Sequence, residues 1–242
     1  ASCLRSGEDY TKTHMFELPE AYERQRGRSS NLLAPLFADF VGVRGEVLDV
    51  GCGTGALTFT IAKNTAVSKV VGLDLSDGFL AYARSKTDDK RILFEHGDTQ
   101  KLPFPNDAFD CCLALLVVGF LPDAPSAARE MRRVTRPSGV VATAWWDNSV
   151  ANALNQSLWE AATMLDPKDS SISSGLGLYG TPEALTSLWS SAGLTNLEVK
   201  ELVFPCGFDS FDDYWQPLTA GQGPDGKYIR SLADNQRAIL RE

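Results

Sequence analysis

The 242-residue chain is poor in the residues that build metal centres and disulfide frameworks, with five cysteines and two histidines. Cys3, Cys52, Cys111, Cys112 and Cys206 form no Cys-x-x-Cys pair and no ligand-like cluster with His14 and His96, which argues against a structural zinc site. An odd count without a framework fits a reducing compartment, and the adjacent Cys111 and Cys112 in an apolar run read as buried thiols. Long hydrophobic runs are also missing: Cys111 to Leu121 is too short to span a bilayer. The N-terminal stretch, with Glu8, Asp9 and Lys12, lacks the charged-then-apolar layout of a signal peptide. The expected location is cytoplasmic. Positive charge is in the minority, 23 Lys+Arg against 31 Asp+Glu for a net −8, so no broad basic face is expected for nucleic acid or anionic membrane.

What the chain does have is an ordinary globular composition, 43% apolar and 22% charged, and length for one sizeable domain with a lid. Leu32, Leu33, Leu36, Phe37 and Phe40 are spaced like a helix face. Short apolar strands are expected at Glu46–Val50, Lys69–Leu73, Arg91–Glu95, Phe109–Leu116 and Val140–Trp146. Helical stretches lie between them, with Ser76 or Asp77 as a cap for the second. This alternation predicts βαβ units, a doubly wound, mostly parallel α/β sheet with right-handed crossovers. Beyond Asp147 the pattern loosens into a helix at Val150–Leu165, a Ser/Gly-rich loop, a helix at Pro182–Ala192 capped by Thr181, and a strand at Leu194–Phe204. The expected division is a helical lid (1–44), a core (45–147), and substrate-facing helices with a C-terminal sheet region (148–242).

The most informative segment is Val47-Leu-Asp-Val-Gly-Cys-Gly-Thr-Gly55, a strand running into a glycine turn that opens a helix. Glycines let the backbone turn sharply and approach a ligand, and the helix start offers unpaired N–H groups. Gly51, Gly53 and Ala56 also satisfy the loose dinucleotide fingerprint, with Asp74 at the distance expected for a ribose-binding acid. Taken alone, the motif is ambiguous between NAD and S-adenosylmethionine. Asp49 tilts the choice: a carboxylate two residues before the first glycine repels a pyrophosphate but suits a phosphate-free ligand with a cationic amine. Asp98, just after the third strand, is placed to accept from an adenine amine or to form an Asx turn.

Several motifs in one order carry a resemblance: Val47–Gly55, Gly72–Leu75, the run Gly97-Asp-Thr-Gln-Lys-Leu-Pro-Phe-Pro-Asn-Asp-Ala-Phe-Asp110, Leu121-Pro-Asp123, and Glu130–Gly139. On these the chain resembles class I S-adenosylmethionine-dependent methyltransferases, methyltransferase type 11, of the ubiquinone/menaquinone-biosynthesis-like subgroup. The resemblance implies a Rossmann-like, seven-stranded sheet with a reversed last strand. It implies S-adenosylmethionine, and S-adenosylhomocysteine after transfer, held by Asp49, Gly51, Cys52 and Gly53 around the methionine part. Asp74 would meet the ribose and Leu75 the adenine face. Asp98 and the Thr99 backbone would meet the adenine edge. Leu115 and Leu116 would border the methionine end, and Tyr22 and Arg28 of the lid would reach the carboxylate. Two departures stand out. Many relatives have a histidine where this chain has Gly119, and nothing strand-like follows Ala220.

Methyl transfer from a sulfonium needs positioning first, and a general base only when the nucleophile carries a proton. His14, in the expected lid, is the one weak candidate for that base. Trp145, Trp146, Tyr179, Phe208, Tyr214 and Trp215 could wall a flat or apolar small-molecule acceptor, or pack the core. The absence of an Asn-Pro-Pro-Tyr motif and the acidic balance lower nucleic-acid substrates. Two alternatives stay open: an NAD(P)-binding oxidoreductase, which would need a Tyr/Lys or comparable hydride-site pair, and a catalytically silent cofactor-binding protein.

Overall fold

Neighbouring residues on a strand face opposite ways, and the two central strands use this to build two cores at once. In a computed structural model, which describes residues 18–147, 153–166, 179–220 and 223–242, Val47, Cys111 and Leu113 enter one buried cluster with Leu33, Phe37, Leu57 and Ile61. Leu48, Cys112 and Ala114 enter the other, with Ala128, Met131, Leu188 and Trp189. Strands apolar on both faces are those that helices cover on both sides.

The chain enters through α1 (Pro19–Tyr22), a π-helical turn (Glu23–Gly27) and α2 (Arg28–Val41), which ends at Gly42 in the left-handed conformation. It continues as β1 (Gly45–Val50), α3 (Ala56–Ala62), β2 (Val67–Asp74), α4 (Asp77–Arg84), β3 (Ile92–His96), β4 (Phe109–Leu115), α5 (Ala124–Val134) and β5 (Thr135–Ala144). The five strands are parallel throughout, in the order β3-β2-β1-β4-β5. The order reverses beside β1, so the carboxyl ends of β1, β2 and β4 flank a crevice where α/β sheets bind ligands. Helix starts follow their capping chemistry. Ser76 accepts the Phe79 N–H, Asp123 that of Ser126 and Thr181 that of Ala184, contacts generally worth about 1 kcal/mol each.

Two of the motifs that carried the resemblance meet each other in space. Arg133 donates to the carbonyls of Leu102 (3.0 Å) and Phe104 (2.8 Å), while Glu130 accepts the Leu102 N–H at 2.9 Å. The loop after Asp98 is thereby clamped to α5, so these motif residues shape the crevice without lining it.

The remaining helices are α6 (Ala153–Leu165), α7 (Pro182–Ser191), α8 (Phe211–Thr219), α9 (Gly223–Ser231) and α10 (Asp234–Arg241). Leu158, Trp159, Ala162, Trp215, Leu218, Tyr228, Ile229 and Leu240 give α6, α8, α9 and α10 a core of their own. The expected strand at Leu194–Phe204 is not formed. From Leu202 to Phe208 half-buried and exposed residues alternate, as on a strand, but the backbone joins no ladder. β5 is the edge of the sheet among the described residues, and a cavity of about 1560 Å³ separates it from this segment. Burial alternation alone does not make a strand without a partner to bond. Five strands are described where the resemblance implied seven.

Candidate functional site

The glycine turn is held by the end of β2. Gly51 and Cys52 both donate their N–H groups to the Leu73 carbonyl (2.7 and 2.9 Å), and the Gly53 N–H goes to Asp74 Oδ2 at 2.9 Å. Both glycines have positive φ, +69° and +53°, where a side chain is strained. A Cβ at Gly51 would come within 2.7 Å of Val117, so this turn packs directly on the loop after β4. At Gly53, itself buried, a Cβ would meet only Phe79, at an ordinary contact distance of 3.8 Å.

Asp49 lies at the foot of the turn, 1% exposed, accepting a hydrogen bond from the Thr58 hydroxyl at 2.6 Å. Burial pushes its carboxyl up to about 7, and the charge of Asp74 pushes the same way. Asp74 is half-buried; its Oδ1 accepts the Ser76 N–H at 2.8 Å. Burial raises its pKa, against the pull of those N–H bonds. Beside it Leu75 is 43% exposed, an uncovered apolar face at the end of β2. Cys52 is buried under the turn against Gly72, and burial raises its thiol pKa.

Further along the crevice, Asp98 forms an Asx turn through Oδ1, accepting from the Gln100 N–H at 2.8 Å and its Nε2 at 3.2 Å. Thr99 is 4% exposed and its hydroxyl has no partner. Leu115 is buried at the end of β4, and Leu116 follows at φ +57°. A leucine in the left-handed region is strained backbone of the kind that gathers at ligand sites.

The lid residues divide. The Tyr22 ring stands 5.1 Å from Phe79, and its hydroxyl bonds Ser30 within reach of the Asp74 charge. Arg28 is committed elsewhere. Its guanidinium pairs with both carboxylate oxygens of Asp213 (2.8 and 2.9 Å), donates to the Gly207 carbonyl at 2.9 Å and covers the Phe208 ring at 4.8 Å. The partner lies 185 residues away in sequence, beyond the reach of any local signal. Two residues missed from sequence stand at the turn instead: the Thr54 hydroxyl donates to Glu23, which latches the π-helical turn to the glycine turn. His14 lies outside the described residues.

The expected aromatic wall is dispersed over three places. Trp145 packs edge-on to Phe120 (5.0 Å) and joins the core containing Trp189 and, at its margin, Tyr179. Trp146 faces Phe204 at 6.3 Å. Phe208 and Tyr214 meet at 5.1 Å, with Trp215 buried in the C-terminal helical core. The departure at Gly119 has a cause here: a Cβ there would lie 2.0 Å from Trp145, whose indole fills the space.

The residues present fit S-adenosylmethionine. Three carboxylates surround the turn, an exposed leucine borders it, and a buried hydroxyl without a partner lies at the far end. A diphosphate fits less well, since the N–H groups of Gly51, Cys52 and Gly53 are already given to Leu73 and Asp74. Fold and crevice together define a class I, Rossmann-like methyltransferase architecture. Residues 48–143 match the family model described as "Methyltransferase domain", and this match together with the fold supports S-adenosylmethionine as the cofactor.

Among curated relatives, a malonyl-[acyl-carrier protein] O-methyltransferase of Pectobacterium atrosepticum is 38% identical over 138 residues, 57% of this chain and 51% of that one. A demethylmenaquinone methyltransferase of Staphylococcus aureus is 36% identical over 109 residues, covering 42% and 44%. The chain spans about half the length, or less, of the curated relatives it matches. Among solved structures, the [4+2]-cyclase SpnF aligns with a TM-score of 0.59 at 23% identity over 87% of this chain and 71% of its own. The YcgJ protein of Bacillus subtilis aligns at 0.56 and 19%, covering 85% and 86%. At such identities the likeness is one of fold alone.

Proposed function

We propose that this protein transfers the methyl group of S-adenosylmethionine to a small-molecule acceptor. The observation that carries this is Asp49: a carboxylate buried at the glycine turn with no cationic partner, held by Thr58 alone, beside Asp74 and under Glu23. That local field favours a cationic, phosphate-free ligand. When bound, the cofactor supplies an electrophilic methyl on a cationic sulfur. Asp49 and the Gly51–Gly53 backbone would hold its amino end, Asp74 the ribose hydroxyls, Leu75 the adenine face, and Asp98 with the Thr99 backbone the adenine edge. Tyr22 of the lid (residues 1–44 in the proposed division) would cover the amino-acid end. Cys52 and Leu115 would pack beneath and beside it. Arg28 as a second lid contact would need the Asp213 pair to open.

The two relatives' printed names specify different acceptors, so likeness does not choose among oxygen, carbon and nitrogen. The net charge of −8 favours a small molecule over nucleic acid. Among the described residues no helix is long and apolar enough to cross a membrane, and Cys52, Cys111, Cys112 and Cys206 are free thiols, which supports a cytoplasmic setting. The oxidoreductase alternative is weaker. Tyr82 and Lys86 do stand four residues apart, but Lys86 is exposed and folds over the Tyr82 ring at 4.5 Å on α4. A silent cofactor-binding protein would bind the cofactor yet methylate nothing.

Calorimetry tests the reading. S-adenosylmethionine and S-adenosylhomocysteine should bind at micromolar affinity, and Asp74→Ala should weaken both at least about tenfold, the loss expected for charged hydrogen bonds to a ligand. Tighter binding of NAD would refute it.

A further inference from the structure

The face of the π-helical turn away from the glycine turn holds polar atoms with nothing to bond. Gln25 is 8% exposed, and neither its Oε1 nor its Nε2 has a hydrogen-bond partner. Next to it Arg26 pairs through Nη2 with Asp225, itself 2% exposed, while its buried Nε is also unpartnered. Burying such groups without partners costs about 1–3 kcal/mol each, so three around one space call for an occupant. That space is a cavity of about 10 Å³, room for about one water-sized group. Phe208, Tyr214 and Leu218 wall it. Single-turn π-helices recur at functional sites.

We propose that this niche is a binding site for one neutral hydrogen-bonding head, a hydroxyl or carbonyl oxygen, at the end of a flat or apolar small molecule. Size admits one polar atom, whose body would lie against Phe208 and Tyr214 at the niche's edge. Charge excludes an anionic head: Arg26 is already neutralised by Asp225, and a carboxylate would set an oxygen against that acid or against Gln25 Oε1. Gln25 offers one acceptor and two donors and Arg26 a further donor, which suits a head that both accepts and donates. Ser29 borders both this niche and the larger cavity that reaches Trp146 and Asp147 beyond β5. Calling the bound molecule the methyl acceptor rests on the methyltransferase reading; the niche itself does not.

The probe is phenol. Isotope-labelled full-length chain is titrated, with and without S-adenosylhomocysteine, while NMR follows the backbone amides of residues 25 and 218 and the Gln25 side-chain amide. Saturable shifts are expected for phenol, with nuclear Overhauser contacts to the Gln25 amide protons. Toluene, lacking the hydroxyl, and benzoate, bearing charge, should each bind about tenfold more weakly or worse. Gln25→Met, close to isosteric, should erase the difference between phenol and toluene. Equal affinities for phenol and toluene in the wild type would overturn the proposal. So would a persistent water contact at Gln25 that phenol never displaces, an ordered water only. The wild-type contrast decides even where Gln25→Met does not fold. Failure of S-adenosylhomocysteine to bind would overturn the methyltransferase reading, leaving the niche to be judged by the phenol arm run without it.

Discussion

Asp49→Asn should raise stability above neutral pH, although it alters a residue at the heart of the proposed cofactor site. The native carboxyl holds its proton up to about 7, against an ordinary value of 3.8. Between those values the folded protein binds a proton that the unfolded chain has released, so this group lowers stability as pH rises through the window and contributes a constant penalty above it. A difference of about 3 pKa units at 1.36 kcal/mol each makes the full cost about 4 kcal/mol, of which about 3 develops between pH 5 and 8. Asparagine keeps an acceptor for Thr58 and carries no charge to desolvate. Urea denaturation of both proteins at pH 5, 6, 7 and 8 should show the variant rising relative to the wild type by about 3 kcal/mol across the series, with similar m-values. Titrating groups that are not coupled to Asp49 cancel in the difference; Asp74, whose charge acts on Asp49, does not. A gap that stays constant with pH would mean that Asp49 does not titrate in this range, and that its burial does not hold the proton on. S-adenosylhomocysteine supplies the converse check. In the proposed arrangement its ammonium lies beside Asp49 and should favour the ionised form, so wild-type affinity should rise from pH 6 to 8, and that of Asp49→Asn should rise less over the same range.

Arg28→Ala should lower stability by about 1 kcal/mol, the scale of a half-exposed ion pair, and leave S-adenosylhomocysteine affinity within about twofold; a tenfold loss in calorimetry would restore Arg28 to the cofactor's carboxylate. Gly119→Ala should destabilise by about 1–3 kcal/mol, because its methyl group overlaps the Trp145 indole. Trp145→Leu should recover much of that loss in a double-mutant cycle, and additive effects of the two substitutions would show that they do not touch.

How far the site could be read in advance follows from how local each signal is. The glycine turn, the acids at 49, 74 and 98, and the caps at Ser76 and Thr181 all sit within a few residues of the structure they specify. Their elements form close to the expected places. The β5 strand begins earlier than expected, at Thr135, because the Pro137–Gly139 segment is carried as an irregularity inside the ladder with β4. Leu194–Phe204 illustrates the opposite limit. Alternation begins only near its end, from Leu202 on, and a strand is a property of a pair: no periodicity in one segment reports whether its partner is in place.

The lid shows why the remaining site residues are not legible in the sequence. Tyr22, Glu23, Gln25, Arg26 and Arg28 lie within seven positions, and a plain helix would have set them on a smooth progression of faces. The π-helical turn changes that spacing, and each side chain meets something distant: Phe79, Thr54, the Gln25 niche, Asp225 and Asp213. Arg28 reads as a carboxylate ligand because the resemblance folds the residues before the core over the cofactor. The structure instead uses two arginines to bind the lid to α8 and α9. One short segment thus touches the glycine turn on one side and the C-terminal helices on the other. Any shift of the backbone at Glu23, where it is latched to Thr54, should therefore be felt at the Arg26–Asp225 pair, only three residues along the same turn.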